Sequence, residues 1–215
     1  MMSNVSIRFG TEGDAEFVAW AILSASRGHL TRVWFDIALE RTEEECFAFI
    51  KSLCTVGATS WWHYSNFLMV EVYGRPVVTL CAFRSGDVYP ASPAALTETM
   101  DAHRIPAAEQ AKIWERGAYL YGCSPRPHDN CWVLEHVAAL PGYRGRGYTS
   151  ALLERALDAG RLRNLATAQI TFVIGNIAAE RAYQRAGFCL SGELLDDAFA
   201  ARAGAPGLCR FTRPL

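Results

Sequence analysis

The sequence predicts an α/β (α+β) fold with a mixed, mostly antiparallel central sheet of about six to seven strands flanked by helices on both faces. Three observations carry this. Strand-like runs at 67–72 and 76–83 meet at Tyr73, Gly74 and Arg75, where glycine supplies the dihedrals of a tight turn, so these two strands are antiparallel. Further on, a strand at 132–140, a helix at 147–159 and a strand at 168–174 follow in order, and strands joined through such a helix lie parallel with a right-handed crossover. Finally, 215 residues with 51% hydrophobic and 20% charged side chains bury one proper core, so a single domain over 1–215 is expected.

In chain order, residues 5–9 alternate as a short strand. Thr11 opens a helix, with Asp14 placed as in a capping box and Phe17, Trp20, Ala21 and Ser24 at helical spacing. Residues 29–37 read as an aromatic connection. Thr42 and Glu45 repeat the capping signal ahead of Phe47, Phe49, Ile50 and Leu53, a second helix of about three turns. Residues at about 84–128 form a long interruption with one helix at 107–121 and a Pro-rich exit. Bare loops of that length are uncommon, so an inserted, lid-like segment that folds over something is expected. Gly160 closes the helix at 147–159. Asn176 caps a helix that runs to Ala186 and ends at Gly187, a strand begins at 188–191, and 208–212 forms the last one.

The formal net charge is -1, from 21 basic and 22 acidic residues with no long run of either sign, so no phosphate-backbone footprint and no nucleic-acid partner are expected. The apolar stretch at 17–25 is far shorter than a membrane span and follows Asp14 and Glu16 rather than a basic lead, so neither a membrane segment nor a signal peptide is read and the protein is expected in the cytoplasm. A homodimer stays open. Cysteines at 46, 54, 81, 123, 131, 189 and 209 show no Cys-x-x-Cys spacing and read as reduced, mostly buried residues. Cys123, His128 and Cys131 lie close together, but a fourth zinc ligand is missing, so no metal is expected.

The most informative residues lie between the strand and the helix: Gly142-Tyr143-Arg144-Gly145-Arg146-Gly147-Tyr148-Thr149. Glycines let backbone N–H groups turn toward one point, and the helix N-terminus adds partial positive charge, so an anion is favoured. A Walker A loop is excluded because Tyr148 stands where Lys must reach the phosphates. A dinucleotide fingerprint lacks its third glycine, at Ser150, and its acidic residue about 20 positions on, where Ala166, Thr167 and Ala168 stand. The pattern Arg144-x-x-Gly147-x-Thr149 resembles the acyl-CoA signature Arg/Gln-x-x-Gly-x-Gly/Ala of the GCN5-related N-acetyltransferase (GNAT) superfamily, found at such a junction. Thr149 departs from the usual Gly or Ala, leaving either a looser backbone approach to the pyrophosphate or a bond from its hydroxyl. The lead-in at 138–147 is similar to the family's form, as is the block from Asn176 through Ala182-Tyr183 to Ala186-Gly187-Phe188. The resemblance covers about 130–193 and the order of elements before it, but not 84–128.

That resemblance implies one acyl-CoA N-acyltransferase domain that moves an acetyl group directly from acetyl-CoA, as co-substrate, to an amine. It implies a cofactor site at Val137, Ala138, Ala139, Arg144, Gly145, Arg146, Gly147, Tyr148, Thr149, Asn176 and Tyr183. Backbone N–H groups around Val137 to Ala139 are expected to meet the thioester oxygen as charge develops there, and Asn176 to help hold the pantetheine arm. An alkyl ammonium titrates at about 10.4, so the acceptor must lose a proton before it attacks. Glu135, in the otherwise apolar Val133-Leu134-Glu135-His136-Val137, is the first candidate base, because desolvation raises its pKa toward the useful range. A structural pairing of Glu135 with an arginine is the alternative. His136 is a second candidate base, but strand alternation sends it to the opposite sheet face unless a bulge intervenes. Tyr183 stands seven residues after Asn176, two turns along one helix face, and is the expected acid for the leaving thiolate, where the family often has a tyrosine.

Trp61-Trp62-His63-Tyr64, with Trp34 and Phe35, form an aromatic concentration that serves either as an acceptor pocket or as core. The acceptor is expected to be a primary amine of a small molecule or peptide. A noncatalytic acyl-CoA-binding sensor or interaction protein on the same scaffold is the competing class, and it requires Glu135 and Tyr183 to point away from the cleft.

Overall fold

The computed structural model describes residues 4–124 and 130–215. Strand β1 (Val5–Phe9) leads through a short 3-10 turn into α1 (Ala15–Arg27), followed by α2 (Trp34–Leu39) and α3 (Glu43–Leu53). Strands β2 (Phe67–Val72) and β3 (Arg75–Arg84) form the hairpin, and helices α4 (Ser85–Val88), α5 (Ser92–Ala102), α6 (Ala107–Gly117) and α7 (Tyr119–Cys123) fill the interruption. Then come β4 (Trp132–Ala139), α8 (Tyr148–Arg161), β5 (Thr167–Val173), α9 (Ile177–Arg185), β6 (Cys189–Leu195), α10 (Asp197–Ala203) and β7 (Gly207–Pro214). The seven strands lie in the order β1-β2-β3-β4-β5-β7-β6, and only β4 and β5 are parallel neighbours.

Local signals set the first elements. Asp14 accepts from the Thr11 N–H at 2.8 Å and its hydroxyl at 2.7 Å, and takes the Arg8 guanidinium as a fork, which ties β1 to the start of α1. Thr42 and Glu45 exchange hydrogen bonds at 3.3 and 3.0 Å, the capping box that starts α3. At the hairpin, Tyr73 and Gly74 both have positive φ, as a two-residue turn with the strands' twist requires.

Period-two alternation in β2 supplies both faces of the sheet. Phe67 and Met69 join Val18, Ile22, Phe49, Ile50 and Leu96 in the core under α1, α3 and α5, while Leu68 and Val70 join Leu152, Leu153 and Leu157 under α8. A third cluster, with Ile37, Tyr119, Val173, Phe199 and Leu208, closes the end where α2, α7 and α10 gather.

Several expectations change. The connection at 29–37 contains α2, started by Asp36, which accepts from the Val33 N–H at 3.0 Å and pairs with Arg27 at 2.6 Å. Among its described residues the interruption holds four helices rather than one, and the helix expected at 107–121 breaks between Gly117 and Tyr119. His128 lies outside the described residues. Beyond α9 the strand runs to Leu195, and α10, begun by Asp196 accepting from the Phe199 N–H at 2.7 Å, was not anticipated. Gly160 does not close α8, which continues to Arg161; it is glycine because a Cβ there would stand 2.8 Å from Trp132 and 2.8 Å from Leu215. Trp132 cannot yield, since its indole N–H donates to the Ala156 carbonyl at 2.8 Å. Gly160→Val is therefore expected to lower stability by about 1–3 kcal/mol, as overpacking does. A thermal melt with an unchanged midpoint would refute this close approach.

Candidate active site

β4 and β5 pair only through Trp132–Ala168, Val133–Gln169 and Leu134–Ile170, after which β4 runs on to Ala139 and β5 to Val173 without further pairing. The strands part, and a cleft of about 1250 Å³ opens between them. Leu140 donates its N–H to Val77 on β3 at 2.9 Å, so strand alternation turns the N–H and C=O of Ala139 toward the opening. The Arg144 guanidinium already meets the Ala139 carbonyl at 3.2 Å.

At one end of the cleft lies the glycine-rich loop. Gly145 and Gly147 have φ of 73° and 82°, a backbone that side chains resist, and nothing stands within 4 Å of a Cβ at either one. Gly147 caps α8 without a side-chain bond, so the first N–H groups of a 14-residue helix face the cleft uncovered by side chains. Arg146 lies over the Tyr143 ring at 5.3 Å. Asn176 accepts from the Ala179 N–H at 3.2 Å and starts α9, and α1 ends directly beneath it, where a Cβ on Gly28 would come within 2.7 Å of the Asn176 amide. An acyl-CoA fits these residues: open glycines and a bare helix N-terminus suit its diphosphate, and unpaired strand edges suit its amide-bearing arm. Among the described residues, no group of three metal-ligating side chains occurs.

The cleft brings together Glu135, Tyr183, Asn176, Val137, Ala138, Ala139, and Arg144 through Thr149. Glu135 sits opposite Cys81, whose thiol reaches the Trp61 carbonyl, so its carboxyl is on the α1 face. It pairs with no arginine in the described ion pairs; its partner is the Tyr89 hydroxyl. Burial pushes its pKa up to about 8, and the Tyr89 hydrogen bond opposes part of that rise. Tyr183 is 6% exposed and packs on Phe172 at 5.2 Å; burial, then the neighbouring Glu135 charge, hold its proton more firmly than in water.

A bulge is present in β4: Leu80 on β3 faces both His136 and Val137, and His136 has φ of 50°. It swings the imidazole onto the same face as Glu135, stacked between Trp61 at 5.0 Å and Phe67 at 6.1 Å. Burial pushes the His136 pKa down to about 3, so the ring is neutral near pH 7.

The other end is aromatic. Trp34, Phe35, Trp61 and Trp62 line it, whereas His63 and Tyr64 do not. Sequence reasoning missed Tyr89, Trp114 and Tyr119, which the inserted helices bring to the wall, and Arg185, on the α9 face that carries Ala178 and Ala182. The spacing of Arg185 from Ala178 and Ala182 could have found it; nothing near Tyr89 in sequence announces its bond to Glu135.

Sheet, parted strands and glycine loop together define the acyltransferase class of architecture. Residues 37–188 match the Acetyltransferase (GNAT) family, and the chain belongs to that family. No curated protein sequence matches it. Similar solved structures include an N-acetyltransferase from Staphylococcus aureus Mu50, with TM-score 0.70 and 17% identity over 97% of this chain and 100% of that one. A polyamine N-acetyltransferase from Drosophila melanogaster that forms N-acetylagmatine superposes with TM-score 0.55 and 15% identity, over 98% of this chain and 100% of that one. A Salmonella typhimurium protein solved with its cofactor acetyl-CoA gives TM-score 0.53 and 14% identity, over 99% and 94%. At these identities the likeness is one of fold.

Because the folded Glu135 carboxyl titrates above its ordinary value, its contribution to stability is complete below about pH 4.5 and is lost as pH rises through about 8. Glu135→Gln should remove that loss. Thermal melts across this range are expected to show the native chain falling relative to the variant as pH increases, and parallel curves would contradict the assigned environment.

Proposed function

We propose that this protein is an acetyl-CoA-dependent N-acetyltransferase that transfers acetyl directly to a primary amine of a small molecule or peptide, acting in the cytoplasm. The observation that carries this is Glu135, a carboxyl with pKa about 8 at the point where the strands part, with the anion loop on one side and the aromatic chamber on the other. Because Glu135 and Tyr183 both line the cleft, a noncatalytic acyl-CoA sensor is the poorer account.

In this reading the α8 N-terminus, with Arg144 and Arg146, holds the diphosphate, Asn176 and the free edge of β4 hold the pantetheine arm, and Thr149 borders the loop. Acetyl-CoA supplies the acyl group as a thioester. Glu135 takes the proton from the bound ammonium, directly or through a water, and the Tyr89 hydroxyl fixes the orientation of the carboxylate. Backbone N–H groups at Val137 and Ala139 face the charge that develops on the acyl oxygen, a placement commonly worth a few kcal/mol. The amine nitrogen bonds to the acyl carbon as the carbon–sulfur bond breaks; Tyr183 gives its proton to the sulfur, and the second proton of the nitrogen, lost as the neutral amide forms, returns to the Tyr183 oxygen directly or through a water. His136, neutral and without a hydrogen-bond partner at Nε2, is a less suitable base because its pKa lies far below 7. The seven cysteines are free thiols, six of them buried, and none is needed as a nucleophile.

A melting-temperature panel tests the cofactor: acetyl-CoA and coenzyme A should stabilise the native chain, by about 2.7 kcal/mol at 100 times Kd, and ATP and NAD should not. Indifference to acetyl-CoA at millimolar concentration defeats the reading. Glu135→Gln is expected to lower kcat by about 10²–10⁴-fold and to abolish a rate that climbs with pH up to about 8, and Tyr183→Phe should lower kcat while leaving coenzyme A binding intact. Thiol release followed across pH checks both.

A further inference from the structure

The chamber on the acceptor side has an unusual electrostatic inventory. Trp61 is at its centre, with Trp62 at 4.9 Å, His136 at 5.0 Å and Tyr89 at 5.5 Å between ring centroids, and Phe35 touches Trp62 edge-on at 6.1 Å. Among the described residues that line the whole cleft, Glu135 is the only carboxylate. The only guanidinium groups are those of Arg144, Arg146 and Arg185, carried by the anion loop and α9. Among the described residues, the aromatic chamber therefore offers one carboxyl for a positive charge and no cation for a negative one.

Hydrogen-bonding capacity there is present but uncharged. Trp34 donates its indole N–H to the Gly117 carbonyl at 3.1 Å. Trp62, only 6% exposed, has no partner for its indole N–H, and neither does Nε2 of His136, at 8% exposed. The Ser92 hydroxyl is the third such buried atom, and all three residues line this cleft. Unmet buried groups are destabilising, and a ligand's neutral polar atom beside them offsets that cost.

We infer that the acceptor is a primary monoamine: one ammonium on an aromatic or largely apolar body, carrying only uncharged polar groups besides. This rests on the acetyl-transfer reading above and narrows it. Indole and phenol faces attract a single ammonium and cover an apolar body. The second ammonium of a polyamine or an aminoglycoside would be buried among those rings with no second carboxylate. The carboxylate of a free amino acid would be buried without a guanidinium. Either carries a desolvation cost that no described residue of the chamber returns.

The test uses the full chain with acetyl-CoA and follows thiol release with 2-phenylethylamine, spermidine and phenylalanine. The expected result is a kcat/KM for 2-phenylethylamine on the order of 100-fold or more above either of the others. Ser92→Asp supplies a second carboxylate at the first position of α5, where a helix start favours an acid, and is expected to shift the ratio toward spermidine by about tenfold. Spermidine or phenylalanine turning over as well as 2-phenylethylamine, or an unmoved ratio in Ser92→Asp, overturns the inference while leaving acetyl transfer intact. No turnover of any of the three, with acetyl-CoA still raising the melting temperature, overturns it as well. A chain that ignores acetyl-CoA instead removes the reading beneath it.

Discussion

Everything in this site depends on two parallel strands that stop bonding to each other. β4 and β5 hold register only as far as Leu134 and Ile170, and beyond that point each backbone keeps polar groups on the edge facing its neighbour. Such groups are costly unless something hydrogen-bonds them. The opening is thus a demand for a partner with amides and carbonyls of its own, and a pantetheine arm answers it. The bulge at His136 and the glycine-rich loop after Ala139 are set along the same strand, so one stretch of backbone positions the proposed base, acyl oxygen site and phosphate site together.

The charges follow the same geometry. Arginines and bare helix N–H groups are placed at the loop end, and rings with a single carboxyl at the other. Between them Glu135 and Tyr183 share an apolar setting that raises both pKa values, which suits the proposed roles of proton acceptor near neutrality and protonated donor. The two titratable groups differ in role because a carboxyl moved to about 8 can still ionise, whereas a phenol moved further upward does not.

Much of this was legible from residue order. The hairpin, the loop between β4 and α8, the Asn176 cap and the Gly187 stop are local signals, fixed by turn chemistry and caps within a few residues. The helices of the insertion were less so: Pro93 at the start of α5 and its mixed surface hide it from periodicity, and α2 and α10 span only six and seven residues. Gly160 read as a terminator because sequence shows the glycine and not the indole pressed against it. The face taken by His136 turned on one extra residue in β4, which no alternation pattern registers. The partnership of Glu135 with Tyr89 was beyond reach for a different reason, since it joins a strand to a segment whose path is set wholly by tertiary packing.

That partnership has a corollary. The insertion that furnishes much of the chamber wall also supplies the hydroxyl that tempers the proton affinity of Glu135. Replacing these helices would in the same stroke displace the acidity of Glu135. The shape of the chamber and the titration of Glu135 are therefore coupled here through one segment of chain.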